Sequence, residues 1–132
     1  MRLPLFLAAA LMAAQPSFAQ TGYLPQQVEK SFRDALFAYG MYGRAKQCRD
    51  KAERPSQDDL TIVLELVNLG KRHFDMSQEQ VAEFITKGED KAEQMIRSGG
   101  FCIEVEYFAQ SWVRALTEAY QARGEYFGER RR

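Results

Sequence analysis

Apolar residues recur every three or four positions between Pro25 and Cys48, which is the spacing of one face of an α-helix. The members of this face are Val28, Phe32, Ala35, Leu36, Tyr39 and Gly43. Proline is tolerated in a first helical turn, because its missing N–H would have no partner there. The pattern predicts a first helix over 25–48, followed by a polar loop that ends at Pro55.

A second helix is predicted after Ser56, which has the form of an N-cap with Asp59 three residues later. The nearly continuous apolar run LTIVLELVNLG follows and forms two stripes. The first stripe is Leu60, Val63, Leu64, Val67 and Phe74, and the second is Ile62, Leu66, Leu69 and His73. Such a helix is either central and buried on two sides, or it presents Ile62, Leu66 and Leu69 to a partner.

The segment DMSQEQV is the clearest local signature in the chain. Ser77 and Gln80 have the spacing of a capping box, and Met76 and Val81 have that of a hydrophobic staple. A third helix is therefore predicted, and the glycines of SGG at 98–100 are expected to end it.

The last apolar segment begins with FCIEVEY, whose alternation is also compatible with a strand. Because no second strand is available to pair with it, we predict a fourth helix that runs to Arg123 and ends at Gly124. Its inner face is expected to consist of Phe101, Val105, Phe108, Trp112, Leu116 and Ala119.

Four helices joined by short loops predict an all-α protein, arranged as an up-down-up-down four-helix bundle. In this topology the end of the first helix and the beginning of the fourth lie at the same pole. These are the positions of Cys48 and Cys102, the two cysteines of the chain. We therefore predict a disulfide between them, which the chain-entropy model values at roughly 4 kcal/mol.

The first 19 residues have the composition of a signal peptide, with Arg2, an apolar run over 3–14, and small residues at Ser17 and Ala19. Cleavage after Ala19 is expected, followed by a single helical domain over 20–124 and a basic tail over 125–132. The apolar run is shorter than the roughly 20 residues that a membrane-spanning helix needs. These features predict a periplasmic or secreted protein, in which an oxidising environment favours the disulfide.

The charge of the processed chain is nearly balanced. Removal of Arg2 leaves 17 Lys and Arg residues against the 18 Asp and Glu residues of the chain. A protein of this net charge has no general attraction for nucleic acid, so we expect none as a partner.

Catalytic chemistry has few candidate residues. His73 is the single histidine, and the two cysteines are expected to be oxidised. Acid–base catalysis and nucleophilic catalysis both need a positioned pair of groups, and one histidine is a poor start for a metal site. We predict no catalytic residue, no metal site and no cofactor, and hence a protein that is not an enzyme.

Some apolar side chains are predicted to face outward. Phe37 and Met41 lie opposite the inner face of the first helix, on a face that also carries cations, and Ile103 and Tyr107 do the same on the fourth helix. Exposed apolar groups of this kind mark partner-binding sites. The alternative is that a terminal segment covers them; the candidates are Tyr23, Leu24, Tyr126 and Phe127.

Gly40 and Gly43 lie inside the first helix, where glycine costs about 1 kcal/mol relative to alanine. Close backbone approach near the disulfide is one interpretation, since bonded cysteines need Cα atoms about 5.5 Å apart. A ligand cleft beside Tyr39 and Tyr42 is the other.

These features predict an exported helical protein that acts by binding another envelope or secreted protein, or a second copy of itself. Inhibitors, immunity factors, chaperones and assembly subunits belong to this class. The alternative is a small-molecule carrier or sensor with a pocket between the helices near Tyr39, Tyr42 and Trp112. The layout is similar to that of periplasmic acid-stress chaperones and immunity proteins, a resemblance that assigns no functional residue.

Overall fold

The computed structural model describes residues 25–127, with side chains from Gln26 to Arg123. The predicted signal peptide, Tyr23 and Leu24, and residues 128–132 of the predicted tail lie outside this range, as do the side chains of Tyr126 and Phe127.

The described chain is all-helical and contains no strand, as predicted. Its helices are α1 (Pro25–Asp50), α2 (Gln57–His73), α3 (Gln78–Arg97), α4 (Cys102–Ala109) and α5 (Trp112–Phe127). The fourth predicted helix is interrupted at Gln110 and Ser111, which divide it into α4 and α5. This interruption lets α4 have a different inner face from the one predicted for a continuous helix. None of the described helices is long and apolar enough to cross a membrane.

Both predicted N-caps, Ser56 and Ser77, are present, and each forms a capping box. Ser56 Oγ accepts a hydrogen bond from Asp59 N at 3.1 Å, and Asp59 Oδ2 accepts one from Ser56 N at 3.3 Å. At the start of α3 the equivalent distances between Ser77 and Gln80 are 3.1 and 2.8 Å. These pairs satisfy backbone N–H groups that have no partner within the helix, which is why α2 and α3 begin where the sequence predicts.

α1 is the central helix and packs against each of the other four. Around its first half, α2, α3 and α5 form the main core, in which the rings of Phe32 and Phe74 stack with centroids 4.3 Å apart. Around its second half, α3 and α4 form a smaller core. The buried members of the smaller core are Met41, Ala45, Ala92, Val105 and Ala109. Because most of these side chains are small, α4 gains little from apolar packing.

Glycine brings α1 and α3 into backbone contact. A Cβ on Gly40 would overlap the main chain at Ile85, and a Cβ on Gly88 would overlap the main chain at Phe37. Gly43, by contrast, has no neighbouring atom within 4 Å of a Cβ built on it. The interpretation that the glycine pair of α1 serves the disulfide is therefore wrong, because Gly40 serves the crossing with α3.

The predicted disulfide joins Cys48, near the end of α1, to Cys102, the first residue of α4. The two Cα atoms are 5.7 Å apart. The bond therefore fastens α4 to the end of the central helix.

Candidate functional site

α4 exposes its largest apolar side chains. Phe101, Ile103, Tyr107 and Phe108 are 72%, 65%, 78% and 71% exposed. We call these four residues the α4 outer face. Four large apolar side chains on an eight-residue helix and its N-cap form a larger exposed patch than folding alone accounts for.

The inner face of α4 begins at the disulfide. Cys102, Val105, Glu106 and Ala109 follow one another at helical spacing, and the last three are buried. Glu106 is the unusual member, because a carboxylate here is only 6% exposed. The Arg49 guanidinium neutralises it, with Nη1 2.7 Å from each Glu106 carboxylate oxygen. α4 is thus attached to α1 by two consecutive residues, Cys48 through the disulfide and Arg49 through the ion pair.

The turn before α4 fixes where the outer face begins. Gly99 adopts a positive φ of 101°, which favours glycine, and Gly100 N donates a hydrogen bond to Met95 O at 3.0 Å. A Cβ on Gly100 would lie 2.8 Å from Met95 O, so a side chain there is excluded. This tight turn places Phe101 at the N-cap of α4, where its ring is exposed rather than buried.

Two predicted partner-binding residues, Ile103 and Tyr107, lie on the outer face. The other two residues of that predicted patch do not face outward as expected. Met41 is 5% exposed and belongs to the smaller core, and Phe37 is half-buried against it. The outward orientation assigned to Met41 is wrong because α1 packs against α3 and α4 on the side that the helical wheel suggested was free.

The second predicted partner-binding set, on α2, is part of the main core. Leu66 is 2% exposed, and Ile62 and Leu69 are partly buried against the same core. The exposed leucines of this helix are Leu60 and Leu64. Within the described chain, α2 therefore offers Leu64 rather than Leu66 to solvent.

Phe101 and Phe108, which were predicted to be buried, are half of the outer face. A continuous fourth helix would place them beside Trp112, but the break at Gln110 and Ser111 removes that constraint. The signal that identifies them is Cys102. Once Cys102 must face Cys48, positions 105, 106 and 109 face inward and positions 101, 104 and 108 face outward.

A buried polar group lies between α1 and the start of α2. Tyr39 Oη donates to Asp59 O at 3.2 Å, and Lys46 Nζ lies 3.5 Å from Asp59 Oδ1. Burial and the neighbouring Asp59 raise the pKa of Tyr39 above its usual range. Burial alone would also raise the pKa of Asp59, but hydrogen bonds from Ser56 and the charge of Lys46 outweigh it and hold that pKa below its usual value. This cluster of polar side chains links α1 to α2, and its hydrogen bonds are made among its own members.

The three rings beside which a small-molecule pocket was predicted, those of Tyr39, Tyr42 and Trp112, lie close to one another. The Tyr39 and Trp112 centroids are 4.7 Å apart in an edge-to-face arrangement, and Tyr42 lies 6.4 Å from both. The cavity beside Tyr39 measures about 50 Å³ and is also lined by Glu89. Burial and the neighbouring Asp90 raise the pKa of Glu89, and Arg44 opposes them. A cavity of this size holds a few water molecules rather than a metabolite.

A wider groove of about 310 Å³ lies between α1 and α3. Phe37 and Phe84 are its aromatic lining, and Arg33 and Lys87 lie 5.6 and 5.2 Å from the Phe84 ring centroid. Both cations also pair with acids one turn away on their own helices. Lys30 and Asp34, which also line the groove, form a third pair of this kind.

His73 pairs with a tyrosine that the sequence did not reveal. Its Nε2 lies 2.9 Å from Tyr120 Oη, so the imidazole joins the end of α2 to α5. Over residues 25–127, no group of three or more His, Cys, Asp or Glu side chains is arranged to hold a metal ion.

The chain matches no protein-family model, no curated protein and no solved structure.

Proposed function

We propose that this chain is an exported, non-catalytic protein that acts by binding another protein through the α4 outer face. The observation that carries the proposal is the exposure of Phe101, Ile103, Tyr107 and Phe108 on one short helix. Inhibitors, immunity factors, chaperones and assembly subunits of the cell envelope all act in this way. The Cys48–Cys102 disulfide is compatible with an exported location.

The size of the outer face supports this role. An aromatic side chain buries 150 to 250 Å² when it is covered, so three exposed rings and Ile103 offer roughly 500 Å² of apolar surface. This lies at the upper end of the patches seen on monomeric proteins, which are often functional. Aromatic residues are enriched in protein interfaces, and tyrosine is among the residues that contribute most to their binding energy.

The attachment of α4 supports the same role. The disulfide and the Arg49–Glu106 ion pair hold the helix without using any side chain of the outer face. A surface that is ordered before it meets its partner loses less conformational entropy on binding.

Site-specific photo-crosslinking tests this proposal. A benzophenone amino acid replaces Tyr107 in the chain expressed with its own leader, and the matched control places the same probe at Leu64, which is similarly exposed on α2. We expect a discrete adduct with another polypeptide from the Tyr107 probe and none from the Leu64 probe. An adduct pattern that is identical for the two probes, or one that contains lipid alone, would contradict the proposal.

The groove between α1 and α3 supports the second candidate function, a small-molecule carrier or sensor. Its volume of about 310 Å³ is at the lower limit of known ligand pockets. If it binds an amphipathic carboxylate, decanoate should raise the melting temperature of the wild-type protein and leave that of Phe84→Ala unchanged. Equal shifts for both proteins would remove this candidate.

A further inference from the structure

One carboxylate lies within the α4 outer face. Glu104 is exposed on the same side of α4 and has no ion pair or hydrogen bond within the described chain. Phe101 precedes it by three residues, and Tyr107 and Phe108 follow it by three and four. In a helix these are the positions whose side chains neighbour that of Glu104. The unpaired carboxylate therefore lies among three exposed aromatic residues, two that follow it at helical spacing and one at the N-cap of the same helix.

This combination has a definite chemical complement. A carboxylate accepts charge-assisted hydrogen bonds from a cation, and a guanidinium can make two of them at once. Aromatic faces attract the same cation and pack against the methylene groups that carry it. A basic side chain set in an apolar surface would satisfy both features of the outer face together.

The ends of the described chain are far from this face. α4 packs beside Met41, Ala45 and Cys48, whereas α1 begins at Pro25, about 24 Å or more away at 1.5 Å per residue. α5 also runs back to the first half of α1, where Arg123 lies over the Phe74 ring. Tyr23 and Leu24 lie outside the described residues and adjoin Pro25 in the sequence, at this distant end of α1.

A second copy of this chain is also a poor partner for the α4 outer face. The apolar residues of the outer face are almost symmetric along the sequence. The midpoint of Phe101 and Phe108 falls between Glu104 and Val105, and the midpoint of Ile103 and Tyr107 falls at Val105. An antiparallel two-fold pairing of two α4 helices would match these apolar residues but place the two Glu104 carboxylates near the axis. Like charges brought together at an interface cost binding energy.

We propose that the α4 outer face recognises a basic side chain, preferably arginine, that projects from an apolar surface of a different protein. This inference rests on the proposed function and names the chemistry of the partner. Glu104 binds the guanidinium, and the surrounding rings of Phe101, Tyr107 and Phe108 exclude water from the ion pair. Exclusion of water strengthens the electrostatic attraction between the two groups.

Selection from a library of random linear peptides tests the proposal. The probe is the disulfide-intact protein, and its matched variants are Glu104→Gln, Glu104→Lys and Glu65→Gln, which neutralises an exposed acid on α2. We expect the selected peptides to contain arginine or lysine beside aromatic or aliphatic residues. Glu104→Gln should weaken their binding about tenfold, and Glu65→Gln should leave it unchanged. Glu104→Lys should select acidic residues in the same apolar context.

Other results would overturn the inference. Peptides that lack a basic residue, or that bind wild type and Glu104→Gln equally, would contradict it directly. The crosslinking experiment distinguishes failure of this inference from failure of the proposed function. If the probe at Tyr107 still forms an adduct with another protein in the Glu104→Lys variant, the protein-binding function is supported and recognition of a basic side chain is ruled out. An adduct of the chain with itself would identify a second copy as the occupant. Flotation of the wild-type protein, but not of Tyr107→Asp, with phosphatidylglycerol vesicles would assign the face to lipid and overturn both proposals.

Discussion

Gly40 of α1 and Gly88 of α3 lie where the two helices touch backbone to backbone. Each glycine faces the main chain of the opposite helix, which leaves no space for a Cβ. The two helices run in the same direction through this contact, since Phe37 lies beside Gly88 and Arg44 pairs with Glu93 further along both helices. This contact separates the main core from the smaller core that supports α4.

Substitution of either contact glycine should destabilise the fold. We expect Gly40→Ala and Gly88→Ala each to lower the free energy of unfolding by about 1 to 3 kcal/mol or more, because the helices must move apart. Gly43→Ala is the matched control. It enters open space within the same helix and should raise stability by up to about 1 kcal/mol. Urea denaturation followed by circular dichroism measures all three, and a fully stable Gly40→Ala protein would contradict the helix contact.

The Arg49–Glu106 pair should respond asymmetrically to substitution. Arg49→Met leaves the Glu106 carboxylate buried without a cation, and we expect it to lower the free energy of unfolding more than replacement of the carboxylate does. Glu106→Gln keeps a hydrogen-bond acceptor and exposes no buried charge, so the expected loss is about 1 kcal/mol. Chemical denaturation of both variants and of the double variant gives the coupling energy. If the two single variants lose the same free energy of unfolding, burial of the unpaired carboxylate has no measurable cost and the prediction is wrong.

Reduction of the disulfide should weaken the attachment of α4. The bond joins residues 54 positions apart, for which loop-closure entropy predicts a contribution of roughly 4 kcal/mol. We expect urea denaturation under reducing conditions to give a correspondingly lower stability. The Cys48→Ser, Cys102→Ser double variant should match the reduced wild type and be unaffected by reductant. A reductant effect that persists in this variant would assign the change to another cause.

The Tyr39–Asp59 contact predicts a loss of stability at alkaline pH. Burial and Asp59 raise the pKa of Tyr39 in the folded protein, whereas an unfolded tyrosine ionises near pH 10. Above about pH 10 the unfolded chain therefore binds fewer protons than the folded protein, and stability falls as pH rises. Tyr39→Phe should lose about 1 kcal/mol at neutral pH and show a smaller alkaline decline. Denaturation at a series of pH values measures this, and an unchanged decline in Tyr39→Phe would refute the assignment.

The helices and their starts could be read from the sequence because the signals are local. Ser56 with Asp59 and Ser77 with Gln80 specify helix starts within four residues. The disulfide was also predictable, since short loops in an up-down-up-down arrangement place the end of the first helix beside the beginning of the fourth. A helical wheel does not contain the number of neighbours around a helix. It therefore does not predict the burial of Met41, which lies on the second packed side of α1.

Two of the four residues of the α4 outer face could be predicted from the sequence. The sequence pattern predicts Ile103 and Tyr107 to face outward, as they do, but a continuous fourth helix predicts Phe101 and Phe108 in the core, and both are exposed. The break at Gln110 and Ser111 changes the rotation of α4 about its axis. Cys102 carries the information needed to correct it, because a covalent bond to Cys48 fixes which side of α4 faces α1.

The fastening of α4 by two adjoining residues of α1 divides the positions of this helix into two sets. Positions 102, 105, 106 and 109 hold it in place, and positions 101, 103, 104, 107 and 108 are released from any structural duty. Mutations can therefore accumulate on the released set without weakening the rest of the molecule. Under the proposed function, a change of partner specificity therefore requires substitutions at these five positions only, and it leaves the attachment of α4 to α1 intact.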